Sequence, residues 1–297
     1  MKKLVIFGVG LIGGSVALAL KKHANAPLCV GLGRNQASLD QALALNIIDE
    51  ATTDIAAALS DADMVLIAAP VAQTKNILQS IKPHLDSKTI ITDAGSTKTD
   101  VLAIAKEALG EQAKQFIGGH PIAGAEKSGP TAAMDDLYIG KNVVLTPSPE
   151  NNPDDIQQVR QLWLDCGANI IEMTAEKHDG IFATVSHLPH VLAFALVEDM
   201  VARDNADELF QFAASGFRDF TRIAGSSPEM WRDISFANRT ALLNEITSYE
   251  QALAKLKQTL VAEDSEGLQT IFERASKARN NWASNKSAAN ISAHNKK

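Results

Sequence analysis

Leu4-Val5-Ile6-Phe7-Gly8-Val9-Gly10-Leu11-Ile12-Gly13-Gly14-Ser15 passes from four apolar residues straight into a GxGxxG and on into a helical pattern. A short, continuous apolar run bounded by glycine reads as a strand covered on both faces. Gly8 permits a tight turn, Gly10 leaves no side chain in the way of a pyrophosphate, and Gly13 lets helix and strand pack closely. The free N–H groups and the positive dipole end of the helix then face the phosphates. Gly8, Gly10, Leu11, Ile12 and Gly13 are therefore the expected cofactor-binding residues. The same stretch, flanked by Lys2, Lys3, Lys21 and Lys22, also imitates a signal peptide and is marginal in length for a membrane span. Its glycines stand where a nucleotide turn needs them, which favours the turn.

Outward from the turn, short apolar runs at 28–32, 64–68, 90–92, 116–118, 143–146 and 169–173 read as further strands. Helical spacing fills 15–22, 39–45, 73–81, 98–109 and 154–164. This alternation predicts an α/β fold, a Rossmann-type doubly wound parallel sheet, over residues 1–173. Beyond it the strand signal stops. Helical patterns at 176–200 (holding Pro189), 207–214, 229–238, 240–263 and 265–283 predict an all-helical domain over 174–285. Their long apolar stripes bury poorly within one small unit, so a homodimer is expected. Residues 286–297 form a polar tail expected to fray.

The 297 residues carry a net charge of −7 with no basic stripe, which argues against nucleic acid as a partner. Only Cys29 and Cys166 are present, too few for a disulfide framework or a metal clip. No membrane partner is expected, and a cytoplasmic location fits.

The second strand of a dinucleotide-binding unit normally ends in an acid that holds the ribose hydroxyl of NAD, about 20 residues beyond the turn. Here Gly31-Leu32-Gly33-Arg34-Asn35 offers Arg34 instead. A guanidinium pairs with a 2′-phosphate that a carboxylate would repel, so NADP is favoured over NAD. The alternative is that Arg34 is a solvated cation and both cofactors work.

Two strand ends carry polar chemistry: Asp93-Ala94-Gly95-Ser96-Thr97-Lys98 and Gly118-Gly119-His120-Pro121. Ligands of open α/β sheets sit outside the carboxyl ends of the strands. His120 there can take an alcohol proton at neutral pH, and Ser96 can orient its imidazole. The glycines beside His120 are read as room for a ligand. A Ser96–His120–Asp93 hydrolytic triad is the competing arrangement, without a GxSxG elbow to support it. In the helical part, Ser186-His187-Leu188-Pro189-His190 sets two histidines at i, i+3. His190 reads as a substrate contact; His187 reads as a second contact or a core histidine; a metal pair lacks further ligands. Arg218 and Arg222 in Gly216-Phe217-Arg218-Asp219-Phe220-Thr221-Arg222 suggest an anion site, or surface ion pairs.

Together these motifs resemble the prephenate and arogenate dehydrogenases. The shared patterns are GxGLIGGS, DxxSxK at 93–98, GGHPIAGxEKSG at 118–129, SHLPH at 186–190 and GFRDFTRIA followed by PEMW, across residues 4–282. The resemblance implies oxidative decarboxylation of prephenate to 4-hydroxyphenylpyruvate, or of arogenate to tyrosine, with hydride passing to NAD(P). It implies a Rossmann domain joined to a helical dimerisation domain. It further implies that His120 binds the ring hydroxyl with Ser96 as its partner, and that Arg222 grips a substrate carboxylate beside His190. Glu126 and Trp231 match positions near the pocket or its gate. Ala125, where many relatives carry Thr, and Arg34 depart from the family pattern. No mutase or regulatory domain fits the remaining length, so a monofunctional enzyme is expected. A β-hydroxyacid-type dehydrogenase and a silent NADP-binding regulator are the competing readings.

Overall fold

The computed structural model describes residues 1–125 and 127–294, with the backbone alone described over 285–294. The opening apolar run becomes strand β1 (Lys3–Phe7), and the glycine turn leads into helix α1 (Leu11–Leu20). The remaining strands are β2 (Leu28–Leu32), β3 (Glu50–Thr52), β4 (Met64–Ile67), β5 (Ile90–Asp93), β6 (Phe116–Pro121), β7 (Asn142–Thr146) and β8 (Asn169–Glu172). They form one sheet in the order β3-β2-β1-β4-β5-β6-β7-β8. The strand order reverses beside β1, which opens the crevice at the carboxyl ends of β1 and β4 where dinucleotides bind in such folds.

Helices α2 (Gln36–Ala44), α3 (Ile55–Leu59), α4 (Thr74–Ile81), α5 (Thr99–Leu109) and α6 (Pro153–Asp165) connect the strands. Alternate residues of β1 feed two cores. Leu4 and Ile6 join one cluster with Val16, Leu20 and Trp163; Val5 and Phe7 join the other with Ile77, Leu78 and Val101. Continuous apolar strands are the consequence of this double cover.

Three features depart from the expectation. The sheet is not wholly parallel: β7 runs antiparallel to β6, and β8 lies parallel to β7. Between β6 and β7 the described chain holds only a 3-10 turn at Pro130–Ala132, and without a crossover helix a neighbouring strand returns reversed. The short pair β3 and α3 lay outside the periodic pattern, since Glu-Ala-Thr is no apolar run and a five-residue alanine helix owes its start to the Asp54 cap. The long helix anticipated over 176–200 is interrupted. It consists of α7 (Ala175–Phe182), a π turn at Ala183–His187 and α8 (Leu188–Val201). Pro189 has no N–H to donate and its ring crowds the preceding turn, which accounts for the widening.

After α8 come α9 (Ala206–Gln211), α10 (Ser215–Thr221), α11 (Pro228–Ala237), α12 (Arg239–Val261) and α13 (Ser265–His294). Strands end at Glu172, yet the compact units divide later, into Met1–Leu242 and Leu243–Lys297. The first helices after the sheet thus belong to the unit that contains it, and Trp231 and Ile234 of α11 join the β1/β4 core. The second unit carries exposed apolar side chains, among them Leu253, Leu260, Val261, Phe272 and Trp282. The expected polar tail over 286–297 lies outside the residues whose side chains are described.

Candidate functional site

Packing dictates two glycines of the turn. Gly8 has φ +99°, and a Cβ on it would lie 2.6 Å from the Ala68 carbonyl oxygen. A Cβ on Gly13 would lie 2.3 Å from the Gly8 carbonyl oxygen. Gly10 differs, because a Cβ there meets nothing within 4 Å. The space beyond Gly10 opens into the cleft, with room for a ligand group close to the backbone. Helix α1 has no side-chain cap at Gly10, whereas Asn35, Asp54, Asn152, Thr174 and Ser227 cap α2, α3, α6, α7 and α11. Its first-turn N–H groups remain available to an anion. Tyr138 braces the turn from behind by donating its hydroxyl to the Ile12 carbonyl at 2.6 Å.

A cleft of about 530 Å³ runs over this turn and is lined by Gly8, Gly10, Arg34, Asn35, Ser38 and Gln73, among others. Arg34 is exposed on its wall and donates to the Gln73 side chain at 3.0 Å. A second chamber of about 350 Å³ shares Ala68, Ala69 and Pro70 with the cleft and is lined by Ile12, Ser96, Ser128 and Asp233. A dinucleotide fits this donor set: uncapped helix N–H groups for the pyrophosphate, a guanidinium at the ribose end and a mainly apolar chamber past Ile12.

His120 is the last residue but one of β6, and its ring is held by a residue the sequence reading missed. His120 Nδ1 lies 2.8 Å from His178 Nε2, and His178 Nδ1 lies 2.8 Å from Asp179 Oδ1. Asp179 also accepts the backbone N–H groups of Lys98 and Thr99, at 2.9 and 2.8 Å, where α5 begins. Burial pushes the Asp179 carboxyl up, but hydrogen bonds from His178, Thr99 and Lys98 outweigh it and hold the group below the usual carboxylate range. An ionised carboxylate can only accept. His178 therefore carries its proton on Nδ1 and accepts at Nε2, and His120 must donate from Nδ1. The one acceptor left on the His120 ring is Nε2, the tautomer a general base needs. Burial first, then the charges of His178, Lys98 and His187, hold the His120 imidazole well below the ordinary histidine range. Phe182 supplies much of the apolar wall, with its ring centroid 4.9 Å from His120 and 4.5 Å from His178.

Ser96 lines the chamber, half-buried, but the hydrogen bond that orients His120 comes from His178. The glycines next to His120 also serve a different purpose from the one expected. A Cβ on Gly118 would lie 2.4 Å from Thr146 Oγ1, and one on Gly119 would lie 2.7 Å from the Asp93 carbonyl oxygen. They make room for neighbouring strands, not for a ligand. Gly119 N–H donates to Asp93 Oδ1 at 2.9 Å and Gly95 N–H to Oδ2 at 2.8 Å. The buried Lys98 ammonium pairs with the same carboxylate. One aspartate thus ties the Ser96 loop to the His120 strand.

On the helical side, His190 and Trp231 stack with ring centroids 3.5 Å apart and an angle of 19°. His190 Nδ1 donates to the Ser186 carbonyl at 2.9 Å, so its Nε2 is the free acceptor. Burial, with the charge of Arg222 nearby, pushes this imidazole down. Arg222 follows α10, exposed, at the start of a 3-10 turn. The structure thus brings His190 against Trp231 and within reach of the Arg222 charge. His187 does not join them as a substrate contact. It is 1% exposed, sits 3.1 Å from the Asn238 side chain, and burial lowers its imidazole to about 4. The π turn places it inside the core. Glu126 lies outside the described residues. Among the described residues, no group of three or more His, Cys, Asp or Glu is arranged to hold a metal.

Comparison with known proteins bears on this site. The family model for the nucleotide-binding domain of prephenate dehydrogenase matches residues 16–172, and that for its dimerization domain matches residues 174–274. Prephenate dehydrogenase of Bacillus subtilis is 36% identical over 274 residues, covering 92% of this chain and 74% of that protein. Cyclohexadienyl dehydrogenase of Zymomonas mobilis is 34% identical over 281 residues, covering 94% of this chain and 95% of that protein. The crystal structure of prephenate dehydrogenase from A. aeolicus, in complex with hydroxyphenyl propionate and NAD+, superposes with a TM-score of 0.88 at 38% identity. That similarity covers 94% of this chain and 97% of the other.

Proposed function

The chain belongs to the prephenate dehydrogenase family, and on that premise we propose how its own residues carry the reaction. It is an NAD(P)-dependent dehydrogenase that oxidatively decarboxylates prephenate or arogenate in tyrosine biosynthesis. The bound nicotinamide supplies the hydride acceptor. His120 Nε2 takes the proton of the substrate's ring hydroxyl as the C–H pair leaves and the O–H pair becomes the carbonyl π bond. The bond to the departing carboxylate then breaks, and its electrons pass through the ring to that oxygen. The resulting phenolate takes the proton back from His120. No proton is left over, so the histidine must be a shuttle. A depressed imidazole suits both halves: neutral at working pH, and a strong acid once it holds the proton. The observation that carries this reading is the His120–His178–Asp179 chain, because it leaves His120 a single acceptor nitrogen. Arg222 and His190 hold the substrate's carboxylate, Trp231 fixes the His190 ring, and Ser96 contacts substrate beside the chamber.

The first test is a four-way assay of prephenate and arogenate, each with NAD and NADP, read as formation of reduced nicotinamide. No reduction under any of the four conditions would sink the assignment. The departure at Arg34 supports NADP as the preferred cofactor. Arg34→Ala is expected to raise KM for NADP by about tenfold, the scale of one lost charge-assisted pair, while KM for NAD stays within about twofold. An equal change for both would mean that Arg34 does not read the phosphate.

A pH profile tests the shuttle. Protonated His120 cannot accept, so kcat/KM falls as pH drops through its folded-state pKa. That pKa is lowered, so activity should remain level through the ordinary histidine range and fall only below it. An acid limb at or above that range would contradict a buried, neutral His120.

The domain division proposed is a nucleotide half over 1–173 and a helical half over 174–285; the two family models, which match residues 16–172 and 174–274, support a change near residue 173. The apolar run Ala175–Val201 could cross a bilayer by length and composition, but it carries His178, Asp179 and His190 of the site. Only 22% of its most apolar window is buried within the chain. A homodimer, formed by the segment matched as a dimerization domain, gives that surface a partner. A cytoplasmic enzyme fits the same reading.

A further inference from the structure

We propose that Asp233 makes the nicotinamide chamber select the oxidised cofactor over the reduced one, an inference that rests on the dinucleotide reading above. Helix α11 turns Met230, Asp233 and Ile234 towards the chamber that Ile12 and Ser96 also line, with its cap Ser227 beside them. Among the described residues lining that chamber, Asp233 is the only charged one. Its side chain is 10% exposed, whereas that of its neighbour Arg232 is 59% exposed. Arg232 donates from Nε and Nη2 to a single oxygen, Asp233 Oδ1, at 2.8 and 2.6 Å. The same guanidinium lies 3.9 Å from the Glu229 carboxylate. One cation on the outer side is thus divided between two anions. The group keeps a net negative charge, and its most buried member is the one at the chamber.

The two redox states of a nicotinamide have nearly the same shape, but the oxidised ring bears a positive charge and the reduced ring none. Interactions with the carboxamide or the ribose act on both states alike. A fixed carboxylate in an apolar chamber acts on one, since Coulomb attraction there is screened far less than in water. Asp233 therefore helps capture the oxidised cofactor and does nothing to retain the reduced one. Stabilising the cationic reactant works against hydride transfer, but loss of carbon dioxide and aromatisation drive the step forward. The sequence of events benefits at its last stage, release of the reduced dinucleotide.

The test is binding, not turnover. The full-length protein is titrated with NADP+ and NADPH, and in parallel with NAD+ and NADH, following tryptophan quenching and nicotinamide fluorescence. Asp233→Asn keeps the shape and an acceptor oxygen but removes the charge. It is expected to weaken the oxidised form by about tenfold and to leave the reduced form within about twofold. Arg232→Ala unmasks the carboxylate and should shift the ratio the other way, by about threefold towards the oxidised form. Equal weakening of both forms by Asp233→Asn, or no change in either, overturns the proposal. If that variant does not fold, Arg232→Ala decides alone, and an unchanged ratio overturns it. Failure of the unaltered protein to bind any of the four dinucleotides is a separate outcome and would sink the dehydrogenase reading itself.

Discussion

His120→Asn is expected to lower kcat by about 10²–10⁴-fold, the usual contribution of a positioned general base. The asparagine amide can still donate towards His178 Nε2, as His120 Nδ1 does at 2.8 Å, so the local hydrogen-bond chain is kept. What is lost is the second ring nitrogen. Without it the hydroxyl proton has no acceptor at the moment the hydride leaves, and the phenolate has no donor afterwards. Cofactor affinity should stay within about twofold, because the turn at Gly8–Gly13 and the cleft past Arg34 are untouched. Both kcat and kcat/KM should fall together, the pattern of an interaction made only in the transition state. A variant whose kcat stays within about threefold of the unaltered protein would remove His120 from the chemistry.

How much of this was legible in the sequence differs between the two halves of the site. The turn was readable because its glycines answer demands visible nearby, β1 turning at Gly8 with φ +99° and α1 packing close at Gly13, although the Ala68 carbonyl that also crowds Gly8 was not. The place of Arg34 on the cleft wall was readable too, as it stands at a fixed interval from the turn. The partner of His120 was not. His178 is 58 residues further on, in a helix whose apolar pattern says only that one face is buried. The polar opening of that helix, Glu176-Lys177-His178-Asp179, gives no sign that its last two members are buried and need partners. Ser96 was the nearest candidate in sequence, and proximity along the chain misled. Pro189 likewise announced an interruption of the helix, but which histidine would point inward depends on the π turn, which one proline does not specify. The reversal of β7 was hidden because a buried antiparallel strand shows the same continuous apolar run as a parallel one.

Lys98→Met should be the most costly single change to stability, at about 3–5 kcal/mol. The Lys98 side chain is fully buried and that of Asp93, with which it pairs, is 3% exposed. Methionine can fill most of the volume, but it leaves a carboxylate in the interior without a counter-charge. That carboxylate cannot simply withdraw, since it also accepts the N–H groups of Gly95 and Gly119 and so joins the Ser96 loop to the His120 strand. Urea unfolding at unchanged slope should show the loss. Asp93→Asn added to Lys98→Met removes the stranded charge while keeping an acceptor for one of the two glycine N–H groups, and should recover about half of the deficit. The site reports the same change independently. Lys98 is one of the charges that depress His120, so its removal should move the acid limb of kcat/KM to higher pH. A Lys98→Met protein within about 1 kcal/mol of the parent in stability, and with an unmoved acid limb, would show that this ion pair neither holds the two loops together nor tunes the base.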